Sequence, residues 1–178
     1  MTMDITELFA LGTRVGDKLT ARNETIAVAE SSAGGLISAA LLARAGASAY
    51  FFGGAVLYTH RSRRLLTALT SDDTAGMRSS SSPYAQVLAR HQRSRFRASW
   101  SLAETGAAGP TGNSYGDPAG HTCLAIDGPV MRERTLRTGQ DDRHRNMIRF
   151  AMAALELLEE AIDAAQVAGP SDGPVQLS

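Results

Sequence analysis

Three stretches of this chain carry residues able to do chemistry. In "AVAESSAGG" (27–35), Glu30, Ser31 and Ser32 follow a short apolar alternation and run into Gly34 and Gly35. A serine at such a turn becomes a nucleophile once a base takes its proton; at an ordinary helix start it is an N-cap that accepts a backbone N–H. Both readings are open for Ser31 and Ser32. Gly34 and Gly35 would leave N–H groups free at the positive end of a helix dipole, suited to a phosphate or a developing oxyanion. "YTHRSR" (58–63) adds Tyr58 and His60, with ordinary pKa values of about 10 and about 6.5, and Arg63, a fixed cation. On a continuing strand, Tyr58 and His60 share a face. In "TGAAGPTGNSYGDPAG" (105–120), Gly106, Gly109 and Gly112 make GxxGxxG, which is neither the dinucleotide fingerprint nor a P-loop.

Other chemistries lack their residues. There is no GxSxG or HExxH, and Lys18, the only lysine, has Val15 three residues before it, which excludes Ser-x-x-Lys. The four histidines show no metal-ligand spacing, and nothing calls for a cofactor. His91 and His144 read as residues of solvated helix faces. Cys123, the single cysteine, sits in the strand-like "HTCLAI" and reads as a small core residue.

A chain of 178 residues with 18 basic and 18 acidic side chains fits one domain with a substantial core. The neutral balance calls for neither nucleic acid nor an anionic membrane, so "RHQRSRFR" (90–97) reads as a solvated face. Asp4 and Glu7 stand where a basic leader would be, and no apolar run reaches membrane-spanning length; the expectation is a cytoplasmic protein.

Periodicity supplies the elements that must position these residues. A helix from Ile5 closes near Asn23, and strand 25–29 leads into a helix over 35–46 with Gly46 as its stop. Strand 50–58 follows, its paired glycines suggesting a close backbone approach, then a helix over 61–69. Residues 71–82, ending in "SSSSP", are the least ordered-looking internal segment. A helix then starts near Pro83, and strands 99–105 and 121–127 flank the glycine-rich loop. "DGP" turns the second of these into strand 130–138, an antiparallel hairpin. Asp141 or Asp142 caps a long last helix. The pattern predicts one three-layer α/β/α domain with a mixed sheet over 1–166 and a disordered tail over 167–178. In such sheets ligands gather at the carboxyl ends of strands, where the three loops lie.

In order, these loops resemble the CinA carboxy-terminal domain family. "TIAVAESSAGGLISAALLARAGASAYFFGGAVLYTHRSRRLL" resembles its opening Glu-Ser-Cys-Thr-Gly-Gly, helix, Gly-Ser-Ser and Gly-Gly-x-Val-x-Tyr-Ser-Asn-x-x-Lys. "ETGAAGPTGNSYGDPAGHTCLAIDG" is similar to its second signature, and "TGQDDRHRNMIRFAMAALELL" to its closing Gly-Asp-Arg helix. The resemblance implies an amidohydrolase that converts nicotinamide mononucleotide, a pyridine nucleotide, to the acid and ammonia, working as a homodimer or higher homo-oligomer. It implies Ser31 as nucleophile and Tyr58 as a matching site residue, and the chemistry of the second loop adds His60 and Arg63 to them as candidate catalytic groups. It places Glu30, Gly34, Gly35, Ser48, Gly106, Gly109, Gly112 and Arg143 around the substrate. Ala33, His60 and Arg63 stand where the family has threonine, asparagine and lysine. An arginine cannot act as a base, so the alternatives are a proton carrier at Tyr58 or His60, or a catalytically silent nucleotide binder. A third reading is an interaction module whose glycine loops are only tight turns.

Overall fold

The apolar runs become five strands in one sheet of order β2–β1–β3–β4–β5, in a computed structural model that describes residues 4–167. β1 (Ile26–Glu30), β2 (Phe51–Val56) and β3 (Trp100–Ala107) run parallel. β4 (His121–Asp127) pairs antiparallel with β3, and β5 (Arg132–Arg137) antiparallel with β4 at the edge, so the sheet is mixed as the pattern predicts. On one face, α1 (Ile5–Ala21), α2 (Leu36–Leu42) and α5 (Arg143–Val167) cover a core that includes Leu8, Val28, Ile37, Trp100 and Phe150. On the other, α4 (Ser82–Phe96) packs with Leu57 and Leu69 on Ala29, Ala103 and Ala125. α3 (His60–Thr67) lies beside α4, where Arg95 Nη1 donates to the Leu66 carbonyl. Alternation along β1 sends Val28 to one core and Ala29 to the other. Cys123 is in the second core, and burial pushes its thiol pKa up. Among the described residues no helix is long and apolar enough to cross a membrane.

Several local expectations change. The helix expected over 35–46 ends at Leu42 with Ala43 as its C-cap, and Gly46, in the left-handed region (φ 82°), opens a 3-10 turn over Ala47–Ala49 instead of stopping the helix. β2 ends at Val56, and the Thr59 side chain caps α3 by accepting from the Ser62 N–H at 3.0 Å. Tyr58 and His60 therefore do not share a strand face. The stretch 71–82 is anchored: Ser80 is buried, with its N–H on Thr105 Oγ1 at 3.2 Å. His91 is half-buried with Nε2 2.6 Å from the Thr67 carbonyl, whereas His144 is exposed as expected. Asp142 caps α5 through the Arg145 N–H at 3.1 Å. The tail beyond Val167 lies outside the described residues.

α1 and α2 meet at Gly12, where an added methyl would collide with the Ala40 carbonyl and lie 2.9 Å from Ala40 Cβ. Alanine raises helix propensity by at most about 1 kcal/mol over glycine. Overpacking against a helix backbone costs about 1–3 kcal/mol, so overpacking wins. Gly12→Ala should lower the denaturant midpoint by an amount worth about 1–2 kcal/mol. A midpoint at or above that of the parent chain would contradict this packing.

Candidate active site

β1 is buried along its whole length, so the chain leaves its carboxyl end with N–H groups that need acceptors inside the protein. Two carboxylates supply them. Glu30 takes the Gly35 and Ile37 N–H groups at 2.9 and 3.1 Å on one oxygen. Its other oxygen takes the Ser38 N–H at 3.0 Å and the Ser38 hydroxyl at 2.6 Å. Gly54, across on β2, leaves room for that hydroxyl, because an added Cβ there would lie on Ser38 Oγ. Glu104 reaches in from β3 to take the Ser31 and Ala33 N–H groups, both at 2.9 Å. Its second oxygen takes the hydroxyls of Ser32 and Thr122, the latter at 2.7 Å. Both glutamates are fully buried. Burial pushes the Glu30 carboxyl up from its ordinary range against the pull of its hydrogen bonds, and the Glu104 charge adds to the rise.

This corrects three expectations. Neither serine caps α2: Gly35 is its N-cap, at φ 98°, and Glu30 accepts from its first turn. Glu30 does not line the cavity bordered by Ser31, and its oxygens are engaged within the loop. The N–H groups of residues 33–35 are not an anion site. Those of Ala33 and Gly35 sit on the glutamates, and that of Gly34 on the Ser31 carbonyl at 3.1 Å. Ser32 is buried against Glu104, which leaves half-buried Ser31 as the serine that faces outward.

Ser31 lines a cavity of about 360 Å³ together with Tyr58, His60, Arg63 and Gly106. Its floor is the carboxyl ends of β1 and β3 (Ser31, Thr105, Gly106); its walls come from α3, α4, Ser79, Ser80, Asn113 and Tyr115. Arg63 donates to Tyr84 Oη at 2.9 Å, with its guanidinium 5.5 Å from that ring's centre. His60 Nε2 is 3.5 Å from Tyr115 Oη across the loop. Arg143 stands outside the lining and ties two segments together, donating to Tyr58 Oη at 3.0 Å and to the Gly109 carbonyl at 2.6 Å. Gly109 and Gly112 shape the loop rather than the cavity. A methyl on Gly109 would lie 2.7 Å from the Asp141 carbonyl, and one on Gly112 would collide with that of Asp117. Ser48 is exposed on the turn before β2, at the amino end of the parallel strands, and does not line the cavity.

The CinA C-terminal domain model matches residues 9–162. The chain belongs to the CinA C-terminal domain family. It is 34% identical over 145 residues to a CinA-like protein of Anaeromyxobacter sp. (strain K), covering 82% of this chain and 36% of that one. A CinA-like protein of Prochlorococcus marinus (strain MIT 9313) is 37% identical over 120 residues, 67% of this chain and 28% of its own. The chain thus spans about a third of the length of these relatives. Its fold is that of a CinA superfamily protein of Klebsiella pneumoniae 700603, with TM-score 0.81, 26% identity, and 88% and 98% of the two chains covered. A competence/damage inducible protein of Agrobacterium tumefaciens gives TM-score 0.79 at 29% identity, with 86% and 94% covered.

Within this CinA domain, the sequence reading missed Glu104, Thr105, Ser79, Ser80, Tyr84, Asn113 and Tyr115. Only Glu104 left a signal, as an acidic residue inside an apolar strand of the sheet. Asn113 and the cavity wall depend on Asp117, which Arg78 grips through both guanidinium nitrogens, one of them at 3.0 Å. Arg78 holds the Asp117 carboxyl below its ordinary value of 3.8. A carboxylate with a lowered folded-state pKa stabilises the fold above its unfolded pKa and loses that contribution as pH falls through the folded one. Asp117→Asn should therefore cost about 1–3 kcal/mol at neutral pH, and the gap to the parent should close below about pH 4. A gap that is constant from neutral pH to pH 3 would contradict the assignment.

Proposed function

We propose that this CinA domain is a nicotinamide-nucleotide amidohydrolase that releases ammonia from nicotinamide mononucleotide. The observation that supports it is that Ser31, from the turn after β1, and Tyr58, His60 and Arg63, from the segment after β2 that opens α3, line one cavity with no acidic side chain among its lining residues. Such a lining suits a phosphate-bearing ligand, with Arg63 as the fixed cation. Ser31 Oγ attacks the carboxamide carbon and forms an acyl-enzyme as ammonia leaves; water then releases the acid. His60 carries the proton in this reading, because the Tyr58 hydroxyl already accepts from Arg143. Arg63, over Tyr84, supplies charge and not a base.

One observation favours the silent-binder reading: the N–H groups of Ala33 and Gly35 are taken by carboxylates and that of Gly34 by the Ser31 carbonyl, which leaves none at 33–35 for an oxyanion. An ammonia-release assay with binding as control separates the two. Ser31→Ala should cut turnover at least about a thousandfold and spare nucleotide binding. Arg63→Lys should leave activity intact or raise it. Parent protein that binds the nucleotide and releases no ammonia, with turnover appearing in Arg63→Lys, would establish the silent binder.

A further inference from the structure

Resting on the nucleotide reading above, we infer that Glu104 is a specificity-determining residue. Its buried carboxylate behind Ser31 makes the cavity floor favour a nucleotide whose ring is a cationic pyridinium over one whose ring is the uncharged dihydropyridine.

The geometry of the floor carries this. Two N–H groups, from residues 31 and 33, donate to one oxygen of Glu104, and the hydroxyls of Ser32 and Thr122 lie on the other. With both hydroxyl protons turned toward it, Glu104 accepts on both oxygens as an ionised carboxylate, the arrangement on which the inference rests. Among the described residues no arginine, lysine or histidine pairs with Glu104 or Glu30. The charge therefore lacks a counter-ion in the fold. It also sits one peptide behind the cavity on two chain segments, since it grips the Ser31 N–H and is followed directly by Thr105 and Gly106, both on the floor. Full burial strengthens its reach, because little water intervenes. Arg63, the fixed cation, enters from α3, on the wall.

The cavity is thus polarised, negative behind the floor and positive on one side. Its complement is a zwitterion with a cationic ring at Ser31 and a phosphate toward α3. The same charge answers the absence of free N–H donors in the 33–35 turn. An anionic intermediate would be opposed by Glu104, and a ring that brings its own positive charge beside the carboxamide offsets that opposition.

The test is calorimetric titration of the full chain carrying Ser31→Ala, which prevents turnover, with nicotinamide mononucleotide and with its reduced form in mildly alkaline buffer. The two ligands share phosphate, ribose and carboxamide and differ in ring charge. The expected result is tighter binding of the oxidised form, on the order of tenfold or more. Adding Glu104→Gln should bring the ratio near one by weakening the oxidised form alone, whereas a merely structural role would weaken both. Glu104→Asp, which keeps the charge, should keep the preference. Equal affinities in the parent overturn the inference and leave the nucleotide reading standing. If neither ligand binds the folded parent, the nucleotide reading falls and this inference with it. The parent ratio decides even if Glu104→Gln does not fold.

Discussion

The site depends on what happens to the backbone where β1 stops. A strand buried on both faces must turn into a helix inside the protein, and each unpaired N–H there would cost a few kcal/mol. Glu30 and Glu104 remove that cost by accepting five backbone N–H groups and three hydroxyls between them. One carboxylate comes from the strand that ends there and the other from its neighbour, so the turn is fixed to the sheet at two points. Ser32 is pulled inward by that arrangement and Ser31 is left on the floor of the cavity.

The remaining walls are joined to this floor by long-range polar contacts. Arg143 links Tyr58 to Gly109, the Thr105 hydroxyl holds the buried Ser80 N–H, and Arg78 grips Asp117 of the glycine-rich loop. Segments far apart in the chain thus close one cavity. The glycines of that loop allow this by close backbone approach at Gly109 and Gly112 rather than by presenting donors to a ligand.

Charge placement follows from the same economy of acceptors. The carboxyl groups of Glu30 and Glu104 are interior and engaged with backbone and hydroxyls, whereas the Arg63 guanidinium stands at the surface of the cavity. Arg63 lies where the resemblance leads one to expect lysine, and its planar guanidinium rests on the Tyr84 ring with a hydrogen bond to its hydroxyl. A compact ammonium would make a weaker partner for that ring, so the exchange alters packing as well as proton chemistry.

The sequence by itself determined the elements, their order and the loops that carry chemistry. Alternation and helical spacing are local, and they placed β1, β4, α1 and α5 and brought Ser31, Tyr58, His60 and Arg63 to the carboxyl ends of strands. It also held the sign of Glu104, an acid inside an apolar strand. Only the tertiary structure decided which groups those loops face. Ser48 matches a family serine by order, yet the turn before β2 puts it at the opposite end of the sheet. The serine run reads as unstructured from composition, yet Ser80 is fixed by a threonine twenty-five residues on. The glycine-flanked turn after Ser31 reads as an anion cradle, and a glutamate seventy-three residues away fills it. Hydrogen-bond partners over such separations are set by how the sheet registers its strands, and no local pattern encodes them.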